Sequence, residues 1–109
     1  MKESLPKNQV FIPHDSIEWV SHAIVSKQVI KNQAGNITLF AFDEGEELTE
    51  HTSPYDAVVE VLEGKVQITI GGTDHTLSDR EAIIMQANIP HALKAMSPAK
   101  FILTLIKGD

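Results

Sequence analysis

Apolar and polar positions alternate through most of this chain in short runs, each closed by a turn signal. Ala23–Ile30 is rich in β-branched residues and stops at Asn32–Gly35, which predicts a strand and a turn. Asn36–Asp43 sets Ile37, Leu39 and Ala41 against Thr38, Phe40 and Phe42; with apolar residues on both sides it predicts a strand covered on both faces. Glu44-Gly45-Glu46 turns the chain into a strand over Leu48–Thr52, and Pro54 breaks the ladder at a corner. Ala57–Leu62 and Val66–Ile70 are the next strands, with Glu63-Gly64 between them. Gly71-Gly72 is a hairpin signal that pairs Asp74–Leu77 back on its predecessor. Ser78–Glu81 has the form of a helix capping box, but only Ala82–Met85 follows before the polar Gln86–Pro90. A turn and a strand are expected there, then strands over His91–Ala95 and Phe101–Lys107 around Ser97-Pro98.

The first twenty residues are less regular. Met1–Asn8 is polar, and Val10–Ile12 is a short extended piece ending at Pro13. His14–Val20 admits either one helical turn, capped by Asp15 or Ser16, or a strand through Glu18–Val20. About nine or ten short strands with regular turns indicate an all-β sandwich or barrel.

Composition narrows the functions open to such a barrel. At 109 residues the chain suits a single domain over residues 1–109, with a barrel core over about 23–107. Its 42% hydrophobic and 22% charged content is that of an ordinary globular protein. A net charge of −6 and singly scattered Lys and Arg argue against a nucleic-acid partner. The absence of cysteine excludes disulfides, thiolate metal sites and Cys nucleophiles. No run approaches a membrane span or a signal-peptide core, so a cytoplasmic protein without a membrane partner is expected.

Two stretches carry the candidate chemistry: GEELTEHTSPYDAVVEVLEG at Gly45–Gly64 and AIIMQANIPHAL at Ala82–Leu93. In both spacing and strand order the chain resembles a small single-domain cupin of the RmlC-like superfamily, a jelly-roll barrel or double-stranded β-helix. In the first cupin motif a glycine leads to two histidines, a glutamate and a closing glycine. Gly45, His51 and Gly64 stand at the matching spacing, whereas Ser53 replaces the second histidine and Ala57 the glutamate. In the second motif His91 matches, while Arg80, Gln86, Asn88 and Ala95 replace a Gly, a Pro, a Gly and an Asn. Asn88 is the mildest of these changes, because Asn tolerates the left-handed backbone that Gly supplies.

The resemblance implies an interior pocket lined by His51, Ser53 and His91. It also implies a divalent transition metal (iron, nickel, zinc or manganese), for which only His51 and His91 remain as ligands. Two imidazoles without a carboxylate hold metal weakly. Glu47, placed by simple alternation on the face of Thr49, His51 and Ser53, is a candidate replacement; Asp56 points to the opposite face and is discounted. A Ser53–His51–Asp56 triad lacks the required geometry and any strained nucleophile turn.

Three functions follow from the resemblance: a metal-poor binder of a small organic ligand such as an anion or a carbohydrate-like molecule, a metal-dependent dioxygenase, isomerase or lyase, and a dimeric sensory or structural cupin. A homodimer is expected, since small cupins pair through edge strands and the apolar outer faces of Ala57–Leu62 and Phe101–Ile106 call for a cover. Trp19, Phe11 and Ile12 are expected to cover the barrel or a partner subunit. His14, His22 and His75 are assigned no role.

Overall fold

A computed structural model describes residues 5–108; the expectation for the opening Met1–Asn8 therefore lies partly outside the described residues. Among the described residues nine strands follow a short 3-10 turn at Pro13–Ser16: β1 Ile24–Asn32, β2 Gly35–Phe42, β3 Glu47–His51, β4 Asp56–Glu63, β5 Val66–Ile70, β6 Thr73–Leu77, β7 Ala82–Met85, β8 His91–Ala95 and β9 Ala99–Ile106. They form two antiparallel sheets, one in the order β1-β2-β9-β4-β7 and the other β3-β8-β5-β6. This is a jelly roll, as the pattern of short strands and the motif spacing indicated.

Period-2 geometry explains how the core is filled. Phe40, Phe42 and Phe101 turn to the space between the sheets, with ring centroids 5.1–5.9 Å apart. Val59, Val61, Val66 and Ile68 are fully buried with them. At fully buried Phe101 alone, area removed from water contributes a few kcal/mol.

The intervening residues of β2 and β9, Leu39, Ala41 and Ile102, face outward and are nonetheless covered. Their cover is the chain's own N-terminal arm, which lays Leu5, Ile17 and Trp19 across that face. The apolar outer faces of β4 and β9, which suggested a partner subunit, are thus partly accounted for within one chain. Trp19 also donates its indole N–H to Ala99 O at 3.1 Å. Phe11 and Ile12 do not share this role; with Val10 they form an exposed apolar run.

Val10–Ile12 forms no strand, although Ile12 is extended, and of the two readings of His14–Val20 a single turn is found. It starts on Pro13 after Ile12, so the expected cap at Asp15 or Ser16 is corrected, both residues lying inside the turn. Pro suits that position because its missing N–H would have no partner there. The capping-box contact at Ser78–Glu81 also forms: Glu81 Oε1 accepts the Ser78 N–H at 2.7 Å. It closes a turn and not a helix, since β7 begins at once.

Candidate functional site

β8 is an inner strand of its sheet, flanked by β3 and β5. Its residues His91, Leu93 and Ala95 all turn to the core and are buried, His91 at 6% exposure. β3 is an edge strand, and His51 at its end is exposed. The two histidines are register partners across the β3–β8 ladder, with ring centroids 4.3 Å apart and planes at 70°. One imidazole is therefore deep and fixed, the other at the rim.

Simple alternation along β3 does not produce this pairing. Leu48 opposes Leu93 and His51 opposes His91, so three steps on β3 match two on β8. The extra residue makes a β-bulge at Thr49–Glu50, which returns His51 to the core-facing side that Leu48 occupies. The predicted shared face of Glu47, Thr49, His51 and Ser53 is corrected accordingly. Glu47 stands opposite Lys94 on the exposed side and is no replacement ligand. Asp56 is engaged elsewhere, its Oδ1 accepting the Ala87 N–H at 2.8 Å.

Both rings are oriented in the same way. His51 Nδ1 lies 2.9 Å from Thr49 O and His91 Nδ1 lies 3.1 Å from Ile89 O. A carbonyl oxygen can only accept, so each Nδ1 carries the proton and each neutral ring keeps its lone pair on Nε2. Two Nε2 acceptors are thereby prepared on adjoining side chains.

Ser53 sits in the corner between β3 and β4 in a different role. Its Oγ accepts the Tyr55 N–H at 3.2 Å, and its carbonyl accepts the Asn88 N–H at 2.7 Å. Together with the Asp56–Ala87 bond, this ties the loop after β3 to the turn before β8. Asn88 has φ 67°, the left-handed conformation expected where the motif has glycine. Arg80, at the other substituted glycine, has φ 70° and bears more strain, since Arg lacks the local side-chain bonding that helps Asn there. At both positions the chain thus takes the left-handed backbone while carrying a side chain.

The donors here fall short of a full protein ligand set for a metal of the kind the resemblance implies. Among the described residues no group of three or more His, Asp, Glu or Cys side chains converges in a way that would hold an ion. His51 and His91 are the whole imidazole set, and Ser53 and Ala57 occupy the remaining ligand positions.

The sequence reading missed a second cluster on the outer face of the barrel. His14 contacts Asp15 and Glu63, and Lys100, though 3% exposed, donates to His14 O at 2.8 Å with its ammonium 4.6 Å from the Trp19 ring centroid. The His14-Asp15 dipeptide after Pro13 was the available signal. Glu63 and Lys100 are far away in the chain, so no local pattern links them.

The family model for the cupin domain matches residues 38–106. Among solved structures, a conserved protein of unknown function from Streptococcus pyogenes superposes with a TM-score of 0.92 at 29% identity, covering 99% of this chain and 95% of that one. A cupin superfamily protein from Desulfitobacterium hafniense gives a TM-score of 0.88 at 21% identity, with 97% of each chain covered. A cupin 2 conserved barrel domain protein from Leptotrichia buccalis is 33% identical over 86% of this chain, which spans 46% of that one, with a TM-score of 0.83. No curated protein matches the chain.

Proposed function

The chain belongs to the cupin family, and on that premise we propose that it binds a small organic ligand at His51 and His91 without a tightly held metal. The observation that carries this reading is the common orientation of the two rings: each Nδ1 is committed to a main-chain carbonyl and each Nε2 is left to a ligand. Neutral rings accept hydrogen bonds from hydroxyl or N–H groups, and a protonated ring donates to a carboxylate. Hydroxylated or acidic small molecules are therefore the matching class, with the Ser53 hydroxyl proton as a further donor at the corner.

The same orientation supports a second reading. Metal-bound histidines commonly donate their other ring N–H to a carbonyl or carboxylate. A divalent transition metal held by His51 and His91, with the remaining positions filled by the substrate, would support a metal-dependent dioxygenase, isomerase or lyase.

Metal analysis of untagged protein, followed by calorimetric titration with a panel of hydroxy acids and sugars, separates the two. The first reading expects substoichiometric metal and a ligand whose affinity falls at least tenfold in both His51→Ala and His91→Ala. Near-stoichiometric metal lost in both variants would overturn it in favour of the second.

A further inference from the structure

We infer that the N-terminal arm is latched to the barrel by an ionic clamp centred on His14, which holds at low pH and opens as His14 loses its proton. Both ring nitrogens of His14 face carboxylate oxygens, Nδ1 that of Asp15 at 2.9 Å and Nε2 that of Glu63 at the end of β4. A neutral imidazole has one N–H, so one nitrogen lone pair would then face a carboxylate oxygen; only the imidazolium satisfies both contacts. The contact to Glu63 joins residues 49 positions apart, so it fastens the arm and is not a local turn bond.

The surrounding charges act on the same turn. Lys100 of β9 donates to His14 O, and Lys27 of β1 donates to Ser16 O at 3.2 Å. Glu60 of β4 and Arg80 of the β6–β7 turn line, with His14, a cavity of about 400 Å³ walled by Ile12, Pro13, Val61 and Leu62. The arm forms one side of this cavity, so its release opens the cavity and uncovers Lys100.

The two carboxylates, Asp15 first, raise the His14 pKa above its ordinary 6.5, against the smaller opposing effects of desolvation and Lys100. Because the folded-state value is the raised one, the clamp is complete below pH 6.5 and is lost as pH climbs through the higher value. None of these groups belongs to the His51–His91 site, so the latch stands apart from the ligand-binding reading.

Trp19 is the only tryptophan and lies on the arm against the sheet, so its emission wavelength reports docking. Between pH 5 and 9 the emission should move to the red with a midpoint above 6.5, while far-UV circular dichroism stays constant. His14→Gln should abolish the transition, and Glu63→Gln should move its midpoint down. At a fixed pH of 6, amine acetylation of Lys100 relative to exposed Lys65 should rise several-fold in His14→Gln over the parent. A flat emission profile in the parent, an unchanged midpoint in both variants, an unaltered Lys100 to Lys65 ratio, or a simultaneous loss of β signal would each overturn the latch.

Discussion

Gly45 and Gly64 bracket the first motif, and replacing each by alanine separates two reasons for a glycine. Both have left-handed backbones, φ +87° and +101°. An L-residue in that region costs about 1–2 kcal/mol, and at Gly45 nothing else is added, because an added Cβ meets no atom within 4 Å. At Gly64 the Cβ would fall 2.3 Å from Pro98 O and 2.9 Å from Ala99 Cα, both main-chain atoms. The turn cannot shift freely to relieve this. Gly64 N–H is bound to Asp79 Oδ1 at 2.7 Å and Lys65 N–H to Ser97 Oγ at 3.0 Å. Overpacking of this sort costs about 1–3 kcal/mol more, so Gly64→Ala should lose about 2–5 kcal/mol and Gly45→Ala about 1–2. Urea unfolding followed by circular dichroism, with a slope of about 2 kcal/mol/M, should place the Gly64→Ala midpoint below that of Gly45→Ala by about 0.5–1.5 M. Equal midpoints would refute the steric argument and leave backbone conformation as the whole role of both glycines.

Phe101→Ala, in the centre of the aromatic trio, should cost about 3–5 kcal/mol and lower Tm by more than about 10 °C; a smaller loss in calorimetry would mean the cavity collapses. Arg80→Gly should raise the urea midpoint, since it relieves about 1 kcal/mol of left-handed strain; an unchanged or lower midpoint would refute the strain. His91→Ala should destabilise by about 2–4 kcal/mol, because it removes a buried ring and leaves Ile89 O without its partner. His51→Ala, at the rim, should stay within about 1 kcal/mol; equal losses in the two variants would contradict the deep and shallow placement of the rings. Light scattering tests the expected homodimer, which a mass of 12.0 kDa at all concentrations would rule out.

The strands were legible because most are short, alternating and closed by a Gly, Pro or Asn turn. Ala82–Met85 and His91–Ala95 were placed to the residue. That His51 and His91 come together was legible from the family resemblance. The face on which His51 lies was not, because a bulge changes the count between two strands and leaves no mark in the composition of either. The N-terminal arm was hidden for another reason. Its tethers to Ala99, Lys100 and Glu63 are contacts of long sequence separation, and hydrophobic periodicity reports only local geometry. Lys100 in particular alternates with Ala99 and Phe101 and looks like an ordinary exposed lysine until the arm is laid over it.

The bulge at Thr49–Glu50 makes the site a matter of parity. If β3 ran straight at its present length, Glu50 would stand opposite His91 and the His51 imidazole would turn to the other face. Deleting Thr49 or Glu50 would thus remove the bulge and keep His51 opposite His91, because two steps on β3 would then match two on β8. The depth of the site belongs to β8, an inner strand, and its second imidazole to an edge strand that the core holds through Leu48. The histidine pair therefore hangs on one irregular step in a marginal strand and not on the length of that strand.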